Sequence, residues 1–287
     1  MNPASINDSN HSSAVRFRVS QLLSCPITNA REENLGDVKD IVLANDNTTI
    51  AYVVVEFGGF LGMGSKYFAM PWRLIHATRN SSDQKPRIKL AVDQDMLKAA
   101  PGFNKTDWPD MADMGWARQV DEFYRTRVPA SQGAPMSNRP FGESTRWRDS
   151  DGRPHVANRK QLHSRRVSEM IGMDVVDARN ESIAKVDDLV LHAERAQIEG
   201  AALSFGGVIG IGKHHALVPI DSLTPQWTKG AMALAFSCTT ADLEAMALPG
   251  GEWPSLDSDE WLERCRRQCG LGSITAADRS STANFGA

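Results

Sequence analysis

Polar and apolar residues alternate from Asp37 to Ile41, the period of a half-buried strand, and the segment Gly36–Leu43 is read as one strand. Asn45-Asp46-Asn47 supplies turn chemistry. Ile50–Phe57 is rich in Val, Tyr and Phe and reads as a second strand. A glycine-punctuated connection follows, Gly58-Gly59-Phe60-Leu61-Gly62-Met63-Gly64. Lys66–Met70 returns, Pro71 closes it, and Arg87–Val92 adds a further strand. Asp95 is placed to cap a short helix, Met96–Ala99. The second half predicts the same series: Ala184–Leu191, Ile198–Phe205, the loop Gly206–Gly212, His215–Pro219 and Met232–Phe236. Short strands with glycine corners and no long helices between them predict a mainly β chain. The expected architecture is two tandem small antiparallel β-barrels, each followed by a short helical tail. In the first tail Trp116, Val120 and Phe123 form an i, i+4, i+7 stripe. In the second, Ser258 caps a helix to about Arg267, with acids early and arginines late, as the helix dipole favours. Trp261 and Cys265 share a face of that helix, and Gly270 is its natural stop.

The halves are a duplication. Shifted by 148 positions, Ser20–Ile75 lies on Ser168–Leu223 without a gap. Identities include Ser20/Ser168, Asp40/Asp188, Val42/Val190, Leu43/Leu191, Phe57/Phe205, Gly58/Gly206, Gly59/Gly207, Gly62/Gly210, Gly64/Gly212 and Pro71/Pro219. The tails repeat with a small shift: Trp108 and Trp116 mirror Trp253 and Trp261. These marks divide the chain into a tail of residues 1–15 expected to be disordered, a first unit at 16–128, a flexible linker at 129–160, a second unit at 161–270 and a disordered end at 271–287.

Composition narrows the function classes. The 287 residues carry a net charge of -3, which excludes a strongly basic nucleic-acid coat. Charge is nonetheless polarised: Pro129–Arg166 carries eight Lys/Arg against three Asp/Glu, whereas Asp242–Glu263 carries seven acids and no base. The first residues have no basic start followed by an apolar run, so no secretory signal is expected. No apolar stretch approaches the roughly 18 residues of a spanning helix. A cytoplasmic location with reduced cysteines is the expectation.

Leu35-Gly36-Asp37-Val38-Lys39-Asp40-Ile41, the glycine loop, and Phe68-Ala69-Met70-Pro71-Trp72 together resemble a PRC-barrel domain. Asn104–Asp113 is similar to the tail that follows the barrel in many bacterial members. The second copy departs at Val208-Ile209, where the first has Phe60-Leu61, and at Ile220, where the first has Trp72. The family includes the cytoplasmic part of the photosynthetic reaction centre H subunit and a domain of a ribosome maturation factor that binds a small-subunit ribosomal protein. The resemblance implies a non-enzymatic barrel that docks on a protein or complex, without cofactor or metal. Fold alone carries neither specific function over.

The residues themselves add candidates. Gly59, Gly62 and Gly64 precede a strand rather than a helix, so they read as turn glycines and not a phosphate loop. Cys265 and Cys269 lie at metal-ligand spacing, but no nearby His completes a set. Adjacent His214 and His215 point to opposite faces of a strand. Asp40 and Asp188, beside Asp37 and Asp187, read as a shared structural hydrogen bond rather than an acid–base pair. The apolar loop tips Phe60, Leu61, Met63, Val208, Ile209 and Ile211, with Trp72, are the interaction candidates. They dock either barrel on barrel, within the chain or in a homodimer, or on an unidentified outside protein complex. The basic linker, with Phe141 and Trp147, makes RNA or ribosome association the alternative. A small ligand in the cleft between barrels is the third reading.

Overall fold

A computed structural model describes residues 15–44, 46–58, 64–111, 113–128, 165–206, 214–228 and 230–273. The first half contains β1 (Arg16–Arg18), α1 (Val19–Leu22), β2 (Pro26–Thr28), β3 (Asn34–Leu43), β4 (Ile50–Phe57), β5 (Lys66–Pro71), β6 (Ile75–Arg79), β7 (Pro86–Leu90), α2 (Gln94–Ala99), β8 (Gly102–Phe103) and α3 (Met114–Arg125). The second contains β9 (Arg165–Arg166), α4 (Val167–Met170), β10 (Asp174–Val176), β11 (Ser182–His192), β12 (Gln197–Phe205), β13 (His214–Pro219), β14 (Leu223–Thr228), β15 (Ala231–Phe236), α5 (Thr240–Ala245) and α6 (Glu260–Gln268).

Each half builds one sheet, in the order β6-β7-β2-β3-β4-β5-β8 and β13-β12-β11-β10-β15-β14. Two features correct the expected antiparallel barrels. First, β2 pairs with β7, and β10 with β15, in parallel. These three-residue strands are too short to show a period in the sequence. Second, neither sheet closes: β5 and β6 are consecutive but not hydrogen-bonded neighbours, and so are β13 and β14. Pro71 and Pro219 end their strands without an N–H to extend the ladder. The 3-10 turns Trp72–Leu74 and Ile220–Ser222 then redirect the chain.

Gly36 shows why its strand tolerates no side chain there. Its φ is +102°, and an added Cβ would stand 1.8 Å from the Glu56 carbonyl oxygen on β4. Leu35, Val38, Ile41, Val54, Val55 and Leu74 are buried in the first half, and Val186, Leu189, Leu191, Leu203 and Leu217 in the second. The buried apolar side chains of both halves form one continuous core.

The tails cover strand edges. β8 pairs with β5, and Ala247 bridges to Ala216 on β13. The buried face of α3 is Ala117, Val120 and Tyr124, with Trp116 and Phe123 flanking it half-buried, a slight rotation from the expected stripe. Trp116 meets Tyr52 edge-on at 5.5 Å. At the equivalent place in the second half, Gly200 leaves room for Trp261, whose ring would lie 2.7 Å from an added Cβ. Two caps differ from expectation. Asp93, not Asp95, accepts the Met96 N–H at the start of α2. Asp259, not Ser258, holds the N-cap position of α6, and its carboxylate is engaged elsewhere.

Candidate functional site: the seam between the units

The two sheets do not follow the boundaries of the repeat. β1, at the start of the first unit, pairs with β11 of the second: Arg16 faces His192, Phe17 faces Leu191 and Arg18 faces Val190. β9, at the start of the second unit, pairs with β3 of the first: Val42 faces Arg166 and Leu43 faces Arg165. Each unit thus lends its leading arm to the other. A pseudo-two-fold axis passes where Thr49 bridges Gln197, its own repeat equivalent. There the Ile50 N–H donates to the Ala196 carbonyl and the Ile198 N–H to the Thr48 carbonyl, both at 2.7 Å. This reciprocity is what an isologous dimer shows, here inside one chain.

The equivalent acids hold the arms. Asp188 accepts from the Ser20 N–H at 3.0 Å and from the Ser20 hydroxyl; Asp40 accepts from the Ser168 N–H at 3.1 Å and from the Ser168 hydroxyl. Each carboxylate also accepts its next residue's N–H at 2.9 Å. Burial nevertheless pushes the Asp40 carboxyl above the ordinary aspartate range, although the Ser168 and Ile41 donors and the Arg166 charge oppose it. The repeated tail tryptophans complete the latches. Arg18 stacks on Trp253 at 4.4 Å, and Arg166 on Trp108 at 4.5 Å. Trp108 itself packs against Tyr67 and Phe103.

The first arm has a further lock. The Arg16 side chain is fully buried. Its Nε donates to Glu199 at 2.6 Å, its Nη1 to the Leu256 carbonyl at 3.1 Å, and its Nη2 to Asp259 at the head of α6. Arg195 donates to the other Glu199 oxygen at 2.6 Å. From the first unit, Arg79 donates to the Arg16 carbonyl and pairs with Asp257 at 2.7 Å. His192 lies in this network and is pushed down to about 3, by burial first and then by the Arg16 and Arg195 charges. Its Nδ1 accepts the Arg195 N–H at 3.4 Å, as a neutral ring does. The Glu194 carboxylate lies 3.3 Å away but is half-exposed and does not offset the burial.

A family model for the PRC-barrel domain matches residues 14–97 and 163–229, just over half of the chain. The chain belongs to the PRC-barrel family. No curated protein matches it in sequence. The matched regions begin at the two arms, so the arms are part of each PRC unit in sequence even though they pair across the seam in space.

The interaction candidates divide. Trp72 is buried at the seam, and its indole N–H donates to the Ala193 carbonyl of the second unit at 3.0 Å, so it joins the two PRC units within the chain. Phe60, Leu61, Met63, Val208, Ile209 and Ile211 lie outside the described residues, as do Gly59, Gly62, Gly207, Gly210, Gly212 and the segment 129–164 with Phe141 and Trp147. Gly58 and Gly206, at φ +103° and +66°, start the two loops in left-handed turns; Gly64, Pro71 and Pro219 frame the returning strands. The units join at the start of β4 and β12, whereas the loops leave from the far ends of those strands.

His215 Nε2 lies 3.6 Å from Asp187, and Asp40 and Asp188 each meet a serine and no histidine. Among the described residues, no three His, Cys, Asp or Glu side chains gather as metal ligands, and no helix is long and apolar enough to cross a membrane. A shallow cleft of about 240 Å³ lies within the first unit, between Asn29, Arg31, Asp93, Met96 and Arg127, and not at the seam. Arg31 there is turned toward Glu33 at 3.6 Å and Asp93 at 3.9 Å.

Proposed function

We propose that the chain is a non-enzymatic docking module whose two PRC units act as one rigid, two-headed platform on a larger protein complex. The observation that carries this reading is the exchange of arms about the Thr49–Gln197 axis. Two units locked this way hold their loop-bearing ends at a fixed separation. Each end stands roughly 25 Å from the seam by the rise of β4 or β12. A partner that engages both loops gains from the second contact as an intramolecular event. Apolar residues in both loops, Phe60-Leu61 and Val208-Ile209, suit burial against protein.

The test is purification of the tagged full chain from its own cells, with and without nuclease, for the wild type and for Phe60→Asp/Leu61→Asp and Val208→Asp/Ile209→Asp. A stoichiometric protein partner that survives nuclease, and that either loop variant weakens by more than tenfold, is the expected result. Ribosomal proteins that vanish with nuclease would transfer the assignment to the RNA alternative. A partner indifferent to both variants, or no partner, would overturn the platform.

A further inference from the structure

The two units align residue for residue around the turn that follows β2 and β10, yet their chemistry there differs. Asn29 stands in repeat register with Asp177, and Arg31 with Arg179. Beside that turn β7 leads into α2 as β15 leads into α5, with Ile27 paired to Ile88 where Val175 is paired to Leu234. This pairing sets Leu90 on Phe236, Val92 on Cys238, Asp93 on Thr239 and Met96 on Asp242. The helix caps agree with it: Asp93 accepts the Met96 N–H, and Thr239 accepts the Asp242 N–H. In the first unit these positions line the cleft of about 240 Å³, and the chain after α3 adds Arg127 and Val128 to its wall.

The first-unit cleft carries two guanidinium groups, Arg31 and Arg127, and one carboxylate, Asp93. The corresponding second-unit positions carry one guanidinium, Arg179, and two carboxylates, Asp177 and Asp242. The first unit thus has a net positive surround where the second has a net negative one. Arg31 is 67% exposed, and its nearest acids, Glu33 at 3.6 Å and Asp93 at 3.9 Å, stand beyond hydrogen-bond distance. Its donors are therefore open to a ligand. Asn29 is 3% exposed, and its side-chain carbonyl accepts the Arg31 N–H at 2.9 Å and the Glu33 N–H at 3.0 Å, which fixes the backbone that carries Arg31. Arg127 stacks on Phe123 at 4.2 Å and donates its Nη1 to the Phe123 carbonyl at 3.0 Å. Beneath these cations Leu90, Val92 and Val128 are buried and apolar.

We propose that this cleft binds a small aliphatic carboxylate, with the carboxylate on Arg31 and Arg127 and the hydrocarbon body against Leu90, Val92 and Val128. A planar guanidinium offers a carboxylate two parallel N–H donors, a match that a neutral or cationic head group does not make. The cleft has room for about eight water-sized groups at roughly 30 Å³ each, the size of a six-carbon acid. A ligand held by both arginines ties the end of α3 to the turn after β2. The site uses neither the seam contacts nor the two glycine loops, so it stands apart from the docking reading.

The full chain at neutral pH is titrated with hexanoate and followed by calorimetry and by the amide chemical shifts of Asn29, Arg31 and Arg127. Saturable one-to-one binding is expected, weaker by about tenfold for butyrate, which buries two fewer CH2 groups. Hexan-1-ol lacks the carboxylate and inorganic phosphate lacks the hydrocarbon body, and each is expected to bind at least about tenfold more weakly than hexanoate. Arg31→Gln and Arg127→Gln each weaken hexanoate by about tenfold. Arg179→Gln, the equivalent change in the second unit, leaves it unchanged. Both cleft arginines are exposed, so their variants keep the fold, which thermal melts check. Three outcomes overturn the site: no saturation by about 50 mM hexanoate, hexan-1-ol or phosphate binding as tightly as hexanoate, or Arg31→Gln binding as the wild type does.

Discussion

The two exchanged arms occupy equivalent places, and the first is locked by the fully buried Arg16. β1 pairs over three residues, and Arg16 behind it engages Glu199, Asp259 and the Leu256 carbonyl. β9 pairs over two, and Arg166 gives its Nε hydrogen bond, at 2.9 Å, to Glu169 on its own helix. The same contrast holds at the conserved acid of the repeat. Asp188 has the Arg18 guanidinium at 3.0 Å as well as its serine; at Asp40 burial outweighs the donors and the more distant Arg166 charge. Glu199 stands in repeat register with Ala51, so the buried acid that anchors Arg16 belongs to the second unit alone. Duplication preserved the shape of the joint, and divergence put its electrostatic strength on one side.

That asymmetry is breakable, and the largest effect falls on Arg16. Arg16→Met leaves Glu199 facing Arg195 alone in a buried site, and a loss of about 3–5 kcal/mol in urea unfolding is expected. Arg166→Met is expected to cost less than about 1 kcal/mol, as for a surface pair. Equal losses would refute the one-sided lock. The double variant Arg16→Met/Glu199→Leu should recover part of the stability, because both buried charges are removed and Arg195, which loses a partner, is 14% exposed.

Acid sharpens the same comparison. His192 stays neutral when folded down to about 3, while the unfolded chain takes up the proton below about 6.5. Between those values the unfolded state binds more protons. Stability is therefore full above pH 6.5 and falls as the pH drops, by about 1.4 kcal/mol per unit at most, ending near pH 3. At pH 5 the expected loss is about 2 kcal/mol. His192→Gln should flatten this part of the pH dependence, measured by denaturation across pH 7 to 4. An unchanged slope would show that the ring does not sense the lock.

The acids separate next. Asp188→Asn removes a charge-assisted bond to Arg18 and should cost about 1.5–3 kcal/mol. Asp40→Asn should cost less than about 1 kcal/mol, because burial already works against the Asp40 charge. Parallel urea melts decide, and a reversed order would break the comparison. The smallest effect belongs to the stacked arginines. Arg18→Gln should cost about 0.5–1 kcal/mol more than Arg166→Gln, since Arg18 loses both its Trp253 face and its Asp188 partner. A double-mutant cycle with Trp253→Phe measures the stacking share.

Much of this architecture was legible in the chain. The central strands were read within a few residues of β3, β4, β5, β11, β12 and β13, because long half-buried strands carry their period openly. The duplication and the tail tryptophans were legible too, and the family follows from them. What escaped were the short strands β1, β2, β8, β9 and β10, two or three residues each, which no periodicity can reveal, and also β6 and β14, although Ile75-His76-Ala77-Thr78 and Leu223-Thr224-Pro225-Gln226 do alternate. A signal for the arms did exist. Arg18-Val19-Ser20 recurs as Arg166-Val167-Ser168 at the same 148-residue shift. Arg16 in an N-terminal strand gave no hint of burial, since its partners Glu199 and Asp259 are about 180 and 240 residues away.

By itself the sequence determined the strands, the turns and the fact of two equivalent units, because alternation and glycine chemistry act between neighbours in the chain. It listed Ser20 with Ser168 and Asp40 with Asp188 as matched pairs, and within one unit that is all they are. Only the tertiary structure decided that each serine meets the other unit's aspartate and that Trp72 is spent inside the molecule. A two-fold exchange joins residues far apart in the chain, and such contacts form only when two folded surfaces come together and exclude water from the charges between them.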